Sequence, residues 1–277
     1  MSSKATDGVA LIIGGASGIG QNAGFSFAES GAEGVIFADI NEEEAQISAE
    51  KSKGFAINPK YRAFSIHVDV TDAVSVQKMV ETVIKEFGRI DYNVNSAGIG
   101  TKSMAGIADI DINEFDNLLN VNMRGTMLCT RAVSKAMLAQ DPREFQGRYG
   151  SRSLGRGCIV NLGSGNSYVV IPGKTSYTTA KHAVIGITKT AAVDYAAHGI
   201  RINAVCPSWV EGPMTDHEGA INPHLGAIIK AVVPIQRMAK PDEVADAILF
   251  LCSPAASYIT GVGLMMDAGA SLTVRLF

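Results

Sequence analysis

The chain has 277 residues, 47% of them hydrophobic and 18% charged, and 24 Lys+Arg against 27 Asp+Glu leave a net charge of -3. A balance this close to neutral supplies no clustered positive charge, so nucleic acid and an anionic membrane are set aside as partners. The length guarantees a sizeable core but is compatible with one large α/β domain or two small ones.

From the N-terminus, Met1 to Gly8 is polar and lacks the apolar stretch of a secretory signal. No later run reaches the roughly 18 apolar residues of a membrane span, and a cytoplasmic address is the expectation. The first strand, Val9 to Ile13, runs into Gly14-Gly15-Ala16-Ser17-Gly18-Ile19-Gly20 and an apolar helix over Gly18 to Ser30. Glycines suit a sharp turn whose backbone approaches a pyrophosphate, and a helix N-terminus presents unpaired N–H groups to it. A second strand, Val35 to Asp39, ends on a carboxylate nineteen residues after Gly20, placed to accept hydrogen bonds from an adenosine ribose diol. The same charge repels a 2′-phosphate, and neither Ser17 nor Ile40 and Asn41 brings a compensating base, so NAD is preferred over NADP. The competing role for Asp39 is as a cap for the next helix.

That helix spans Asn41 to Lys53, followed by a strand at Ala63 to Val68, a helix at Asp72 to Phe87, a strand at Ile90 to Asn95 and one long helix from Ile112 to Ala139. Residues 140–157, with Arg143, Arg148, Arg152 and Arg156, read as a solvated excursion, because Asp141 and Glu144 dilute any anion site. A strand at Cys158 to Leu162, a helix at Ser176 to His198 and a strand at Ile202 to Cys206 precede residues 207–240, an expected substrate lid. A helix at Pro241 to Leu251 and a strand at Val262 to Asp267 complete the pattern. Seven short strands alternating with helices, without a linker, predict one Rossmann-type domain over 1–277, built on a doubly wound parallel sheet. The cysteines Cys129, Cys158, Cys206 and Cys252 fit neither a zinc pattern nor a disulfide scaffold and are read as reduced core residues, with no metal expected.

Tyr177 and Lys181 stand four residues apart on a helix and therefore share a face. A lone tyrosine, with a pKa of about 10, is a poor acid or base near neutrality. A neighbouring ammonium is expected to favour its phenolate and bring it toward proton exchange with a carbonyl or alcohol oxygen.

The glycine turn, Asp39, Asn95-Ser96-Ala97-Gly98, Asn122, Ser164 and Tyr177-x-x-x-Lys181 together resemble the short-chain dehydrogenase/reductase family from about Val9 to Gly269. Ser164 precedes Tyr177 by thirteen residues, the family's usual spacing. The resemblance implies hydride transfer between a nicotinamide and a carbonyl or carbinol carbon, with Asn122, Ser164, Tyr177 and Lys181 as the candidate catalytic set. In that scheme Tyr177 exchanges the proton, Ser164 bonds the substrate oxygen, Lys181 lowers the tyrosine pKa and holds the ribose, and Asn122 positions a water. It further implies dinucleotide contacts at Gly14, Gly15, Ser17, Gly18, Ile19, Gly20, Asp39, Ile40, Asp69, Val70, Asn95, Ala97 and Gly98. Tyr177, Lys181, Pro207, Val210 and Thr215 complete that expected set. The glycine register is open by one residue, Gly14 or Gly15, and Gly212 stands where the family usually has a threonine.

Met104, Tyr168, Val169, Val170, Ile171, Trp209, Met214 and Met238 predict an apolar pocket for a hydrophobic ketone or secondary alcohol. The alternatives are a non-redox enzyme on the same fold (epimerase, lyase or cyclase) or a nucleotide-binding non-enzyme. The chain is similar to members from filamentous fungi, many of which serve polyketide or terpenoid pathways. The low charge, against about a quarter in a typical globular chain, and the small residues around the Ser176 to His198 helix predict buried subunit contacts; the family resemblance implies a homotetramer or homodimer.

Overall fold

The computed structural model describes residues 6–272. The outermost parts of the expected 1–277 domain, including most of the polar Met1 to Gly8 start, lie outside the described residues.

Val9–Ile13 forms β1, buried at every position. Its side chains alternate between faces: Ile12 joins an apolar cluster with Phe27, Phe37 and Ile248, while Leu11 and Ile13 join a second with Met79, Val133 and Ile202. A strand apolar on both sides belongs at the centre of a parallel sheet covered by helices. The flanking elements follow in chain order: α1 (Gly18–Glu29), β2 (Gly34–Asp39), α2 (Glu42–Ser52), β3 (Arg62–His67), α3 (Ala73–Phe87) and β4 (Tyr92–Asn95). Asn41 and Asp72 start α2 and α3 by accepting from the backbone N–H groups of Glu44 and Val74.

The second half contains α4 (Ile112–Leu119), α5 (Thr126–Leu138), β5 (Arg143–Gly147), β6 (Gly150–Gly155), β7 (Gly157–Leu162), α6 (Thr175–Ala196) and β8 (Ile200–Pro207). It ends with α7 (Pro213–Ile221), α8 (Leu225–Val232), α9 (Pro241–Cys252) and β9 (Gly263–Met266). Seven strands pair in the order β3-β2-β1-β4-β7-β8-β9, each neighbouring pair parallel. This is the expected doubly wound, Rossmann-like single domain. The order reverses between β1 and β4, and the crevice beyond their C-terminal ends is where such sheets bind ligands.

Two expectations need correction. The single helix from Ile112 to Ala139 is interrupted by a π-helical turn over Asn120–Gly125, and such turns collect at functional sites. The 140–157 excursion is a two-stranded antiparallel hairpin, β5–β6. Three of the excursion's four arginines are bound to the protein: Arg143 pairs with Asp7 and Asp91, Arg152 lies 4.8 Å over the Phe145 ring, and Arg156 donates to the His198 carbonyl. Among the described residues no helix is long and apolar enough to cross a membrane.

Candidate active site

The glycine turn leaves β1 with Gly14 at φ +84°, a left-handed conformation that L side chains rarely adopt. A Cβ on Gly14 would lie 2.4 Å from the Ala97 nitrogen, and one on Gly20 would lie 2.0 Å from the Gly14 carbonyl oxygen. Gly15 instead backs onto Phe37, so Gly14, Gly18 and Gly20 are the glycines that the turn's geometry requires. Ser17 precedes α1 without capping it, and no acidic side chain occupies the first turn. The positive end of α1 is thus left open to an anion.

Asp39 lies beside this turn. One carboxylate oxygen accepts from the Ala16 N–H at 3.0 Å and the other from the Asn41 N–H at 3.0 Å. Asn41, not Asp39, caps α2. Asp39 and exposed Ile40 line a cavity of about 690 Å³ that runs past Ser17, Gly18, Ile19, Ala97 and Gly98. Asp69 and Val70 border its far side, where hydrogen bonds from the Thr71 hydroxyl and N–H hold the Asp69 carboxyl below its ordinary range.

Not every expected contact reaches this cavity. Asn95 is buried in the sheet, donating to Asn161 at 2.7 Å and Thr130 at 3.2 Å; as the last residue of β4 it points into the core, and the loop after it faces the cavity. Gly15 and Gly20 support the turn from behind and are likewise absent from the lining. Asn122 lies in the π-helical turn, and its amide is spent on the Ile99 peptide, accepting from N–H and donating to C=O at 2.8 Å each. Its side chain therefore fixes the loop after β4.

At the other end of the cavity, Ser164 follows β7, and Tyr177 and Lys181 come from the first turns of α6. The Ser167 hydroxyl donates to the Lys181 carbonyl at 2.8 Å and accepts from the Ser164 N–H, tying the β7 loop to α6. Ser164 and Tyr177 both border this cavity. Lys181 Nζ lies 5.5 Å from the Tyr177 ring centroid and donates to the Leu162 carbonyl at 2.8 Å.

The electrostatics differ from the sequence expectation. Burial pushes the Tyr177 phenol up to about 12, against the lowering influence of the neighbouring Ser164 hydroxyl, and the Glu218 carboxylate adds to the rise. Burial also pushes Lys181 down to about 8. Desolvation, which disfavours the charged form of each group, is the largest cause of both shifts.

Pro207, Val210 and Thr215 border the same cavity. The bridge between Val210 and Ala239 uses backbone groups of Trp209, Glu211 and Ala239 and leaves the Val210 N–H outside it. Thr215 donates to the Val210 carbonyl. Gly212 has φ +142°, which threonine does not adopt without strain, and this accounts for glycine at the family's usual threonine position.

A second cavity of about 390 Å³ opens beside Ser164 and Tyr177 and is walled by Val169, Val170, Ile171, Trp209 and Met214. Three residues expected in that wall are elsewhere: Met238 packs with Leu225, Ile229 and Val233, Tyr168 turns its hydroxyl to the Gly263 carbonyl, and Met104 abuts Gly173. Sequence reasoning missed Asn166, Lys174, Glu218 and Asp267, which line the cavity. Among the described residues no group of three His, Cys, Asp or Glu side chains is assembled as a metal set.

Residues 14–271 match the family model described as Enoyl-(Acyl carrier protein) reductase. The chain is 44% identical over 269 residues to the short-chain dehydrogenase anuF of Penicillium roqueforti (strain FM164), covering 97% of this chain and 98% of that one. It is 45% identical over 276 residues to the short-chain dehydrogenase RED2 of Pyricularia oryzae (strain 70-15 / ATCC MYA-4617 / FGSC 8958), covering 98% and 99%. Among solved structures, levodione reductase superposes with a TM-score of 0.87 at 30% identity, over 98% of this chain and all (100%) of that one.

Proposed function

The chain belongs to the short-chain dehydrogenase/reductase family, and from that premise we propose that it is an NAD-dependent reductase of hydrophobic ketones, or dehydrogenase of the corresponding secondary alcohols. The observation that carries this reading is the convergence of Ser164 and Tyr177 on the shared border of the two cavities, one lined by the glycine turn and one by apolar side chains. A bound dinucleotide supplies the hydride; the chain supplies binding, orientation and the proton. The Gly14 cradle, the open end of α1 and Asp39 are suited to hold it, with NADP the less favoured alternative. Ser164 then orients the substrate oxygen and Tyr177 donates its proton to that oxygen.

The same reading places the enzyme in the specialised metabolism of a filamentous fungus, in a polyketide or terpenoid pathway, on its likeness to fungal dehydrogenases. A cytoplasmic location suits four unpaired cysteines. Association into a homodimer or homotetramer is assigned to α6, which buries Ala180, Val184, Ile185 and Ala192 yet leaves Val193 79% exposed.

Fluorescence titration with NADH, followed by a panel of cyclic and aromatic ketones and their alcohols, tests the function. Saturable binding with cofactor oxidation by a hydrophobic ketone is expected. Binding without turnover across the panel refutes the redox role and leaves the epimerase, lyase, cyclase or nucleotide-binding alternatives.

Cofactor choice has its own test. Asp39→Ala is expected to lower kcat/KM with NAD by about tenfold, the scale of one lost charge-assisted contact, while efficiency with NADP rises. Because Asp39 also accepts from Ala16, some loss with both cofactors accompanies the switch. Equal wild-type efficiency with NAD and NADP overturns the role given to Asp39.

A further inference from the structure

The apolar wall of the smaller cavity is broken at one place. Lys174, the residue preceding α6, is 7% exposed, and its ammonium forms an ion pair with Glu218 of α7. Both line the cavity that Ser164 and Tyr177 border. Burying the Lys174 ammonium costs several kcal/mol before its attraction to Glu218, whose side chain stays 24% exposed, is counted, and an apolar side chain of similar volume fills such a site with equal or better stability. A pair kept there serves something other than packing.

The donor count points to what that is. An ammonium has three N–H donors, and among the described residues Glu218 is the one side chain that accepts from Lys174. Lys174 also stands three residues before Tyr177, immediately ahead of α6, and both line the cavity. A substrate whose reacting oxygen lies at Tyr177 therefore passes a second, partly unused donor set.

Charge decides the kind of group that fits. Lys174 is already neutralised by Glu218, and Asp267, 9% exposed, adds a further carboxylate to the lining. Hydrogen bonds from two backbone N–H groups, Gly269 and Ser271, keep Asp267 in its anionic form. A carboxylate-bearing substrate meets net negative charge here, whereas a neutral hydroxyl or carbonyl accepts from Lys174 without displacing Glu218.

We propose that Lys174, held in place by Glu218, is a specificity-determining residue that receives a second oxygen of the substrate. The preferred substrates are then neutral, largely hydrophobic ketones or alcohols bearing a hydroxyl or carbonyl remote from the reacting carbon. This rests on the ketone-reductase reading above and names the substrate class for the same site.

Calorimetric titration of the enzyme saturated with oxidised dinucleotide tests it, using acetophenone, 3′- and 4′-hydroxyacetophenone and 4-acetylbenzoate as probes; ketones are not reduced in that complex. The expected result is that a hydroxylated isomer binds about tenfold more tightly than acetophenone and that 4-acetylbenzoate binds worst. Lys174→Met brings the ratio to within about twofold and Lys174→Arg keeps it. The double variant Lys174→Met/Glu218→Leu removes both charges and also loses the ratio, so a fold weakened by an unpaired Glu218 does not obscure the result. No preference in the wild type, an unchanged preference in both methionine variants, or tightest binding of 4-acetylbenzoate overturns the proposal. Failure of the ketone-reductase reading is seen separately, as probe binding without hydride transfer when NADH replaces the oxidised dinucleotide.

Discussion

Tyr177→Phe lowers kcat on the order of 10²- to 10⁴-fold, the usual worth of a positioned general acid, while NADH binds within about twofold of wild type. The substitution removes one oxygen and keeps the ring, so the packing of α6 and the 5.5 Å approach of Lys181 Nζ to the ring centroid are preserved. What disappears is the hydroxyl that stands with Ser164 on the border of the two cavities. On the proposed reading most of the dinucleotide's contacts would lie at the other end of the cavity, with the glycine turn and Asp39, which the variant does not touch. Stopped-flow measurement of NADH oxidation with a substrate of the wild type gives kcat, and fluorescence titration gives affinity. Turnover above about a tenth of the wild-type value removes Tyr177 from the proton transfer, and a parallel loss of NADH binding assigns it to the cofactor site instead.

The residues that were legible in the sequence are those whose function depends on local backbone. The glycine turn combines a strand, a positive φ and a helix start within a few residues, and each leaves a mark in composition. Tyr177 and Lys181 share a helix, so their spacing alone puts them on one face. Asn95 was misread because adjacent residues at a strand end diverge: its side chain points to Asn161 while the backbone beyond it reaches the cavity. The π-helical turn at Asn120–Gly125 was invisible because one widened turn hardly disturbs the apolar periodicity on either side. The β5–β6 hairpin was hidden for the opposite reason, since β6 is exposed over most of its length and carries no alternating pattern to detect. Lys174 and Glu218 are 44 residues apart, and only the folded chain brings them together. The phenol's upward shift is of the same kind, because burial is a property of the folded site and spacing does not report it.

Gly20→Ala is expected to destabilise the protein by about 3 kcal/mol, the upper part of the range for overpacking, and to weaken dinucleotide binding with it. The added methyl would sit 2.0 Å from the Gly14 carbonyl oxygen and 2.9 Å from its carbon, and both are backbone atoms. The turn has nowhere to retreat. Gly14 donates to the Ala38 carbonyl at 2.8 Å, and its own Cα is so close to Ala97 that a Cβ there would also collide. Relief must come from α1 moving outward, yet α1 is set against β2 through Gly24, where a Cβ would lie 2.2 Å from the Phe37 ring. Displacing α1 carries its open N-terminus away from the cavity, which links the loss of stability to the loss of affinity. Gly18→Ala is the matched control, because nothing lies within 4 Å of its Cβ position and only its φ of +54° opposes the substitution, at about 1 kcal/mol. At roughly 2–4 °C per kcal/mol for a chain of this size, calorimetric Tm values separate the two variants clearly. A smaller drop for Gly20→Ala than for Gly18→Ala shows that the turn yields and that close packing does not hold α1 in register with the cavity.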